Sequence, residues 1–383
     1  MNEDKATRYH RLKRRARVAA AALSASLLVV LVGSGAAAWL RDRAWSVASL
    51  ASSPAAPWVA VAAYVLFLFV IAEAITLPLA AYRGYVLDRR YGLGRQTWGQ
   101  WLRDSAKASA IGLVLAVGAA EVIYWSLRTW PAWWWVPASA IFAAFTALLA
   151  LAAPVVLLPL FFRFTPLERD VLRGRLLQLA HRAGTRVLGV YEWKLGEKSR
   201  AANAALVGLG GTRRIVISDT LLSEYSDEEI EVVLAHELAH HVHGDIRSMI
   251  LADAGLTVVT LLACHVALVW GGPFLGLKSR DDLAGMPLLL LVAGAVSLLT
   301  LPLVNAWSRQ HERRADRYAL DLTANPEAFI SAMRRLGAQN LADEYPSRIV
   351  EWLFHTHPPL PQRIQAAREW APVAGASGLH GPP

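Results

Sequence analysis

The chain has 383 residues, of which 55% are hydrophobic and only 18% are charged, and it contains 15 tryptophans. This composition is too apolar for an ordinary soluble domain of that length and predicts an integral membrane protein whose surroundings are a lipid bilayer. The net charge of +9 does not indicate nucleic-acid binding, because no recognition module accompanies the basic clusters. The single cysteine, Cys264, excludes an intramolecular disulfide and a paired-cysteine metal site, and its apolar surroundings disfavour a thiol nucleophile.

Six apolar runs are long enough to cross about 30 Å of hydrocarbon as helices. The first, from Val18 to Leu40, follows a basic arm at residues 1–17 and is too long for the core of a signal peptide. The fourth contains Pro154 and Pro159, which favour a bend or an early end. The sequence thus predicts an α-helical polytopic membrane protein of about six transmembrane helices, the last five near residues 58–80, 108–127, 134–162, 249–270 and 286–307.

Lysine and arginine alternate between successive loops. The N-terminal arm, residues 81–107 and residues 163–248 are rich in them, and the intervening loops are poorer. The positive-inside rule therefore places both termini and residues 163–248 on the cytoplasmic side. The scarcity of lysine among the 39 basic residues hints at a bacterial genome, which would make the membrane a bacterial plasma membrane.

Residues 163–248 have soluble character and predict a small α/β portion. An amphipathic stretch at 167–183 predicts a helix, and alternation at 186–193 predicts a strand. Residues 203–209 and 213–218, joined by a glycine-rich turn, predict a hairpin.

The most informative motif is His236-Glu237-Leu238-Ala239-His240. A capping box of Ser226 and Glu229 begins the helix that carries it. At 3.6 residues per turn His236 and His240 share one face and can converge on a zinc ion, while Glu237 lies beside the ion, where it can take a proton from a water that the ion activates. A chance match on a polar helix is the alternative, which this helical context disfavours.

A catalytic zinc site needs a third protein ligand. The pattern HExxHxxGxxH is excluded, because His243 stands at its glycine and Ile246 at its third histidine. A later helix at residues 308–316 offers Glu312 as the ligand and Asp316, one turn on, as acceptor of a ligand histidine's second ring N–H. The alternative for this segment is an exposed helix with Glu/Arg pairs.

Three separated motifs, HELAHHVHGD, SRQHERRAD and THPPLPQRI, together resemble the M48 family of membrane-embedded zinc endopeptidases. The resemblance is to its Ste24 (CAAX prenyl protease 1)-like branch and covers roughly residues 60–370. Further motifs that resemble this branch lie at residues 79–87, 90–92, 164–167 and 218–222.

The resemblance implies a zincin (gluzincin-like) catalytic portion with one zinc per chain. It implies that Asn203 and Ala204 lie on a strand beside which the peptide substrate binds as an added strand. It also implies that His357 and Arg363 reach the active site, where they would stabilise the oxyanion. The acids Glu73, Glu121 and Asp253, within or near predicted membrane spans, are candidates to line a hydrated chamber, or else are paired near the interface.

The expected organisation is a basic arm at 1–17, a membrane domain at 18–162 with four helices, a peptidase domain at 163–370 with two more, and a disordered tail at 371–383. The expected function is hydrolysis of membrane-associated or CAAX-like peptides by a zinc-activated water. Two alternatives remain open: a membrane-protein quality-control protease, and a catalytically silent zinc-binding scaffold. A metal transporter is disfavoured, since the spans contain too few ionisable side chains.

Overall fold

The structure, a computed structural model, describes residues 4–208 and 213–371. Among these residues, five helices are long and apolar enough to cross a membrane: Lys5–Gly33, Ala56–Arg90, Trp98–Thr129, Asp245–Gly271 and Leu283–Thr323. They form most of the membrane portion, so the prediction of a helical membrane protein is confirmed.

The membrane portion begins with five helices that we label in chain order. They are α1 (Lys5–Gly33), α2 (Ala36–Ala48), α3 (Ala56–Ala81), α4 (Trp98–Thr129) and α5 (Trp135–Val156). A π turn (Tyr82–Val86) and a short helix (Leu87–Arg90) extend α3. The fourth predicted span is α5, and a separate helix (Leu158–Phe161) follows it with Pro159 in its first turn.

The predicted single helix from Val18 to Leu40 is wrong in one respect, because the chain breaks there into α1 and α2. Gly35 has φ +77°, a left-handed conformation that glycine adopts without steric cost and that ends helical hydrogen bonding. Apolarity alone does not reveal such a break.

The remaining elements build the α/β portion and the last two membrane helices. The helices are α6 (Asp170–Arg182), α7 (Asp219–Glu224), α8 (Asp227–Val242), α9 (Asp245–Gly271), α10 (Met286–Thr323), α11 (Pro326–Gln339), α12 (Arg348–Phe354) and α13 (Leu360–Arg368). The strands are β1 (Phe164–Pro166), β2 (Gly189–Trp193), β3 (Ala204–Val207) and β4 (Arg214–Ser218). Single-turn 3₁₀ helices lie at Pro273–Leu275 and Leu283–Gly285.

The four strands form one sheet in the order β1-β2-β4-β3. β2 and β4 are parallel, whereas β1 and β3 are antiparallel to their neighbours. The hairpin expected between 203 and 218 is therefore present as β3 and β4, but its turn lies outside the described residues. The expected tail also lies outside them, apart from residue 371.

α10 is a single helix of 38 residues, about 57 Å long at about 1.5 Å per residue. Its first half is apolar, and its second half carries Glu312 and Asp316 into the α/β portion. One rigid element thus joins the membrane to the predicted metal site, and α8 packs against it.

The first turns of α1 bind the loop that follows α11. His10 Nε2 donates to the Leu341 carbonyl at 2.6 Å, and Arg14 pairs with Asp343 at 2.9 Å. Leu341 has φ +51°, which is costly for a leucine, but its side chain packs against the buried Tyr9 and its neighbours. The contacts with α1 therefore hold this loop in a conformation that the loop would not favour by itself.

Candidate metal centre

The two predicted histidine ligands lie on α8. Ser226 and Glu229 cap its N-terminus reciprocally, as the sequence pattern predicts. One turn apart, the rings of His236 and His240 have centroids 5.0 Å apart and nearly perpendicular planes. His236 is buried and His240 is half-buried, so both imidazoles are oriented by packing before any ion binds.

Glu312 approaches these rings from α10. Its Oε2 lies 3.2 Å from His236 Nε2, and its Oε1 lies 3.5 Å from His240 Nε2. Ligand atoms of the three residues all lie within 4.8 Å of one another. Glu312 Oε2 is buried without a hydrogen bond of acceptable geometry among the described residues. Three ligand atoms this close together, from two histidines and a carboxylate, fit a zinc ion with three protein ligands and one open position.

Asp316 fixes the orientation of the first ligand histidine. Its Oδ1 lies 2.9 Å from His236 Nδ1, so the ring donates from Nδ1 and leaves Nε2 free to face the ion. Arg363 binds the same carboxylate twice, from Nε at 2.8 Å and from Nη2 at 2.5 Å. A fork of this kind positions Asp316 as well as neutralising it.

Asp245 does the same for His240, and sequence reasoning missed it. Its Oδ2 lies 2.8 Å from His240 Nδ1, and its Oδ1 lies 2.6 Å from His311 Nδ1 and also pairs with Arg314. The available signal was its place just after α8, where Gly244, at φ +70°, turns the chain back toward the histidine.

Glu237 lines a cleft of about 300 Å³, which the ligand His236 also lines. Burial raises the pKa of its carboxyl above the usual range, although His236 and His240 lower it in part. A raised pKa suits a group that must take up and return a proton near neutral pH. The cleft is also lined by Asn203, Ala204, His357 and Arg363.

His357 and Arg363, predicted to act together, have different surroundings. His357 is 61% exposed, with Nδ1 2.7 Å from Glu312 Oε2. Arg363 is largely buried, its side chain 11% exposed, and is bound to Asp316. Arg363 Nη2 also lies 3.5 Å from His236 Nδ1. Of the two, His357 is therefore better placed to reach a substrate.

Asn203 and Ala204 lie where β3 begins. The Asn203 amide N–H donates to Ser218 Oγ at 2.9 Å, and its carbonyl accepts from the Ser218 N–H at 2.9 Å. Both residues line the cleft beside Glu237, so the edge strand and the predicted base share one space.

The other histidines of the motif point elsewhere, as expected. His241 Nε2 donates to the Leu206 carbonyl at 3.1 Å, and His243 packs edge-on against Tyr318. Of the three acids in the membrane portion, Glu73 accepts a hydrogen bond from Ser109 at 3.1 Å, which joins α3 to α4.

Comparisons with known proteins agree with this architecture. Residues 166–371 match peptidase family M48, and residues 2–163 match the CAAX prenyl protease N-terminal family, described as five membrane helices. The uncharacterized metalloprotease YhfN of Bacillus subtilis is 32% identical over 311 residues, which are 80% of this chain and 72% of that protein. CAAX prenyl protease 1 of Saccharomyces cerevisiae is 27% identical over 318 residues, which are 76% of this chain and 68% of that protein.

Among solved structures, the crystal structure of S. mikatae Ste24p has the same fold. It superposes with a TM-score of 0.81 at 22% sequence identity, covering 95% of this chain and 87% of that one. A helical membrane protein with this fold and a His-His-Glu set in its α/β portion is, as a class, a membrane metalloprotease. The chain belongs to peptidase family M48. The resemblance found in the sequence is thereby confirmed, and family membership implies a metal cofactor, typically zinc.

Proposed function

We propose that the chain is an endopeptidase that binds one zinc ion per chain through His236, His240 and Glu312 and hydrolyses peptide bonds in the cleft beside β3. The observation that carries this proposal is that Glu237 lines the same cleft as His236, whose ligand atom lies within 4.8 Å of those of His240 and Glu312. A silent scaffold would have no need of a buried carboxylate there. Zinc, when bound, would supply Lewis-acid activation of water and of the substrate carbonyl.

The chain's own residues would handle the protons and the developing charge. Glu237 would accept a proton from the attacking water and return it to the leaving amine. His357, exposed in the cleft, would donate to the carbonyl oxygen as negative charge develops on it. Arg363 would act mainly through Asp316, which it holds with two bonds.

The substrate would lie extended along β3, with its backbone hydrogen-bonded to the edge strand and its carbonyl directed at the metal. We propose membrane-associated peptides as substrates, since α10 joins the membrane directly to the site. Relatives named CAAX prenyl protease 1 support CAAX-like substrates, and misfolded membrane proteins are the second candidate. The basic loops support a site on the cytoplasmic side, and the scarcity of lysine supports a bacterial plasma membrane.

The test is Glu237→Gln, which is nearly isosteric and leaves all three ligands in place. We expect zinc content and thermal stability to stay as in the wild type, while peptide cleavage falls on the order of 10²–10⁴-fold. Glu231→Gln is the matched control, because Glu231 lies on the same helix but pairs with Arg175 at the surface. Equal turnover by the wild type and Glu237→Gln at equal zinc occupancy would refute the mechanism.

A further inference from the structure

The free edge of the sheet is β3, which has β4 on one side only. The Ser218 N–H donates to the Asn203 carbonyl at 2.9 Å, so Asn203 turns its backbone groups toward β4. Because backbone groups alternate in an antiparallel ladder, Ala202, Ala204 and Leu206 turn theirs away from β4. These three residues carry the groups that an added strand would have to use.

A side chain already occupies the first of these positions. The Ala202 N–H donates to Asn340 Oδ1 at 3.1 Å, and Asn340 Nδ2 donates to the Ala202 carbonyl at 3.3 Å. The carboxamide thus makes the same donor and acceptor pair that a residue of a bound peptide would make. A peptide lying along β3 cannot pair with Ala202 while Asn340 is there.

The third position is half occupied. His241 Nε2 donates to the Leu206 carbonyl at 3.1 Å. A peptide N–H approaching Leu206 would have to compete with this ring, which comes from the turn of α8 that follows the ligand His240.

Between Ala202 and Leu206, the buried Ala204 lines the cleft that Glu237 also lines. Its backbone N–H and carbonyl point away from β4, and no side chain in the described part of the chain occupies them. The geometry points to two side chains that set the register of a bound peptide: Asn340 and His241 restrict an added strand to a single backbone pair, at Ala204. They are positioning residues that decide which peptide bond faces Glu237, an inference that rests on the proposed peptidase function.

The position of Asn340 is itself firmly set. It ends α11, and the next residue, Leu341, is held at φ +51° by packing and by the hydrogen bond from His10. The carboxamide therefore acts as part of the wall of the cleft. The substrate that fits is a peptide extended for only about three residues around the cleaved bond, bending away from the sheet on either side.

The experiment maps cleavage sites and then counts backbone hydrogen bonds. Unfolded β-casein is digested with the detergent-solubilised wild type, and products are assigned by mass spectrometry. A decapeptide around the main site is then made with each amide N-methylated in turn. For the wild type we expect one N–H near the cleaved bond to be sensitive, with kcat/KM falling about tenfold when it is methylated.

Asn340→Ala frees the backbone of Ala202. N-methylation of a second peptide N–H, two residues from the first, should then also lower kcat/KM, and casein should be cut at additional bonds. His241→Phe keeps an aromatic ring but removes the hydrogen-bond donor. N-methylation should then also slow cleavage at the N–H two residues from the first on the other side of the peptide. The matched control is Gln339→Ala, which removes bonds to Arg200 and Tyr225 next to Asn340 without touching β3. It should leave the casein cleavage sites and the effects of N-methylation as in the wild type.

Each result has a distinct meaning. An unchanged N-methyl pattern in a folded, zinc-loaded Asn340→Ala or His241→Phe protein overturns the register role and leaves the peptidase function standing. If Asn340→Ala does not fold, His241→Phe decides the question from the other end of the strand. Absence of any cleavage by the zinc-loaded wild type refutes the peptidase function, and the register role with it.

Discussion

Asp316 and His236 face each other across two helices, with Asp316 Oδ1 2.9 Å from His236 Nδ1. The acid lies on α10 and the ring on α8, so this contact sets the tautomer of the ring and joins the two helices that carry the ligands. Asp245 repeats the arrangement on His240. Each imidazole thus has its own carboxylate, and each carboxylate has its own arginine.

Asp316→Asn tests this arrangement. The amide keeps the volume but loses the charge that holds Arg363 and fixes the ring of His236. We expect zinc affinity to fall about 10–100-fold, the usual effect of losing an outer partner of a ligand. Zinc bound at equilibrium against a competing chelator measures it.

Asp321→Asn is the control for that substitution. Asp321 also lies on α10, but it pairs with Arg317 and Trp370 away from the site. Equal zinc affinity for Asp316→Asn and the wild type would show that Asp316 does not support the metal site.

Glu312→Ala removes a ligand rather than an outer partner, so its effect should be larger. With two histidines alone, we expect purified protein to retain far less than one zinc per chain by elemental analysis. Glu351→Ala, which removes a partner of Arg309 on α10, serves for comparison. Full zinc occupancy in Glu312→Ala would remove Glu312 from the ligand set.

Membrane topology gives another prediction. On a Cys264→Ser background, cysteines at the exposed Glu197 and Lys278 positions should react with an impermeant maleimide from opposite sides of the membrane. Glu197 should react from the cytoplasmic side, because the basic loops mark that side. Labelling of both positions from the same side would contradict the proposed orientation.

The parts of the site that were predictable from sequence are those with local signals. The spacing of His236 and His240 and the capping box of Ser226 lie within one helix, where period and end signals are read directly. Contacts between distant segments leave no such signal: Asn340 meets Ala202 across 138 positions.

The fold shows the same division. Hydrophobic runs predicted the membrane helices, since length and apolarity suffice for that, but they missed the break at Gly35, which depends on one backbone conformation. The strand β1 has only three residues and is defined by its pairing with β2, so no periodicity could indicate it.

The contacts between α1 and the loop at 341–343 can form only late in synthesis of the chain. They join positions 329 to 336 residues apart, from Thr7, His10 and Arg14 to Leu341 and Asp343. A ribosome adding roughly 5–20 residues per second needs roughly 16 to 66 s to make that much chain. Asn340 itself is made only at the end of that interval, 28 positions after the ligand Glu312. At the same rate a nascent copy therefore contains all three ligand residues for roughly 1 to 6 s before it contains the residue that would set the register of a bound peptide.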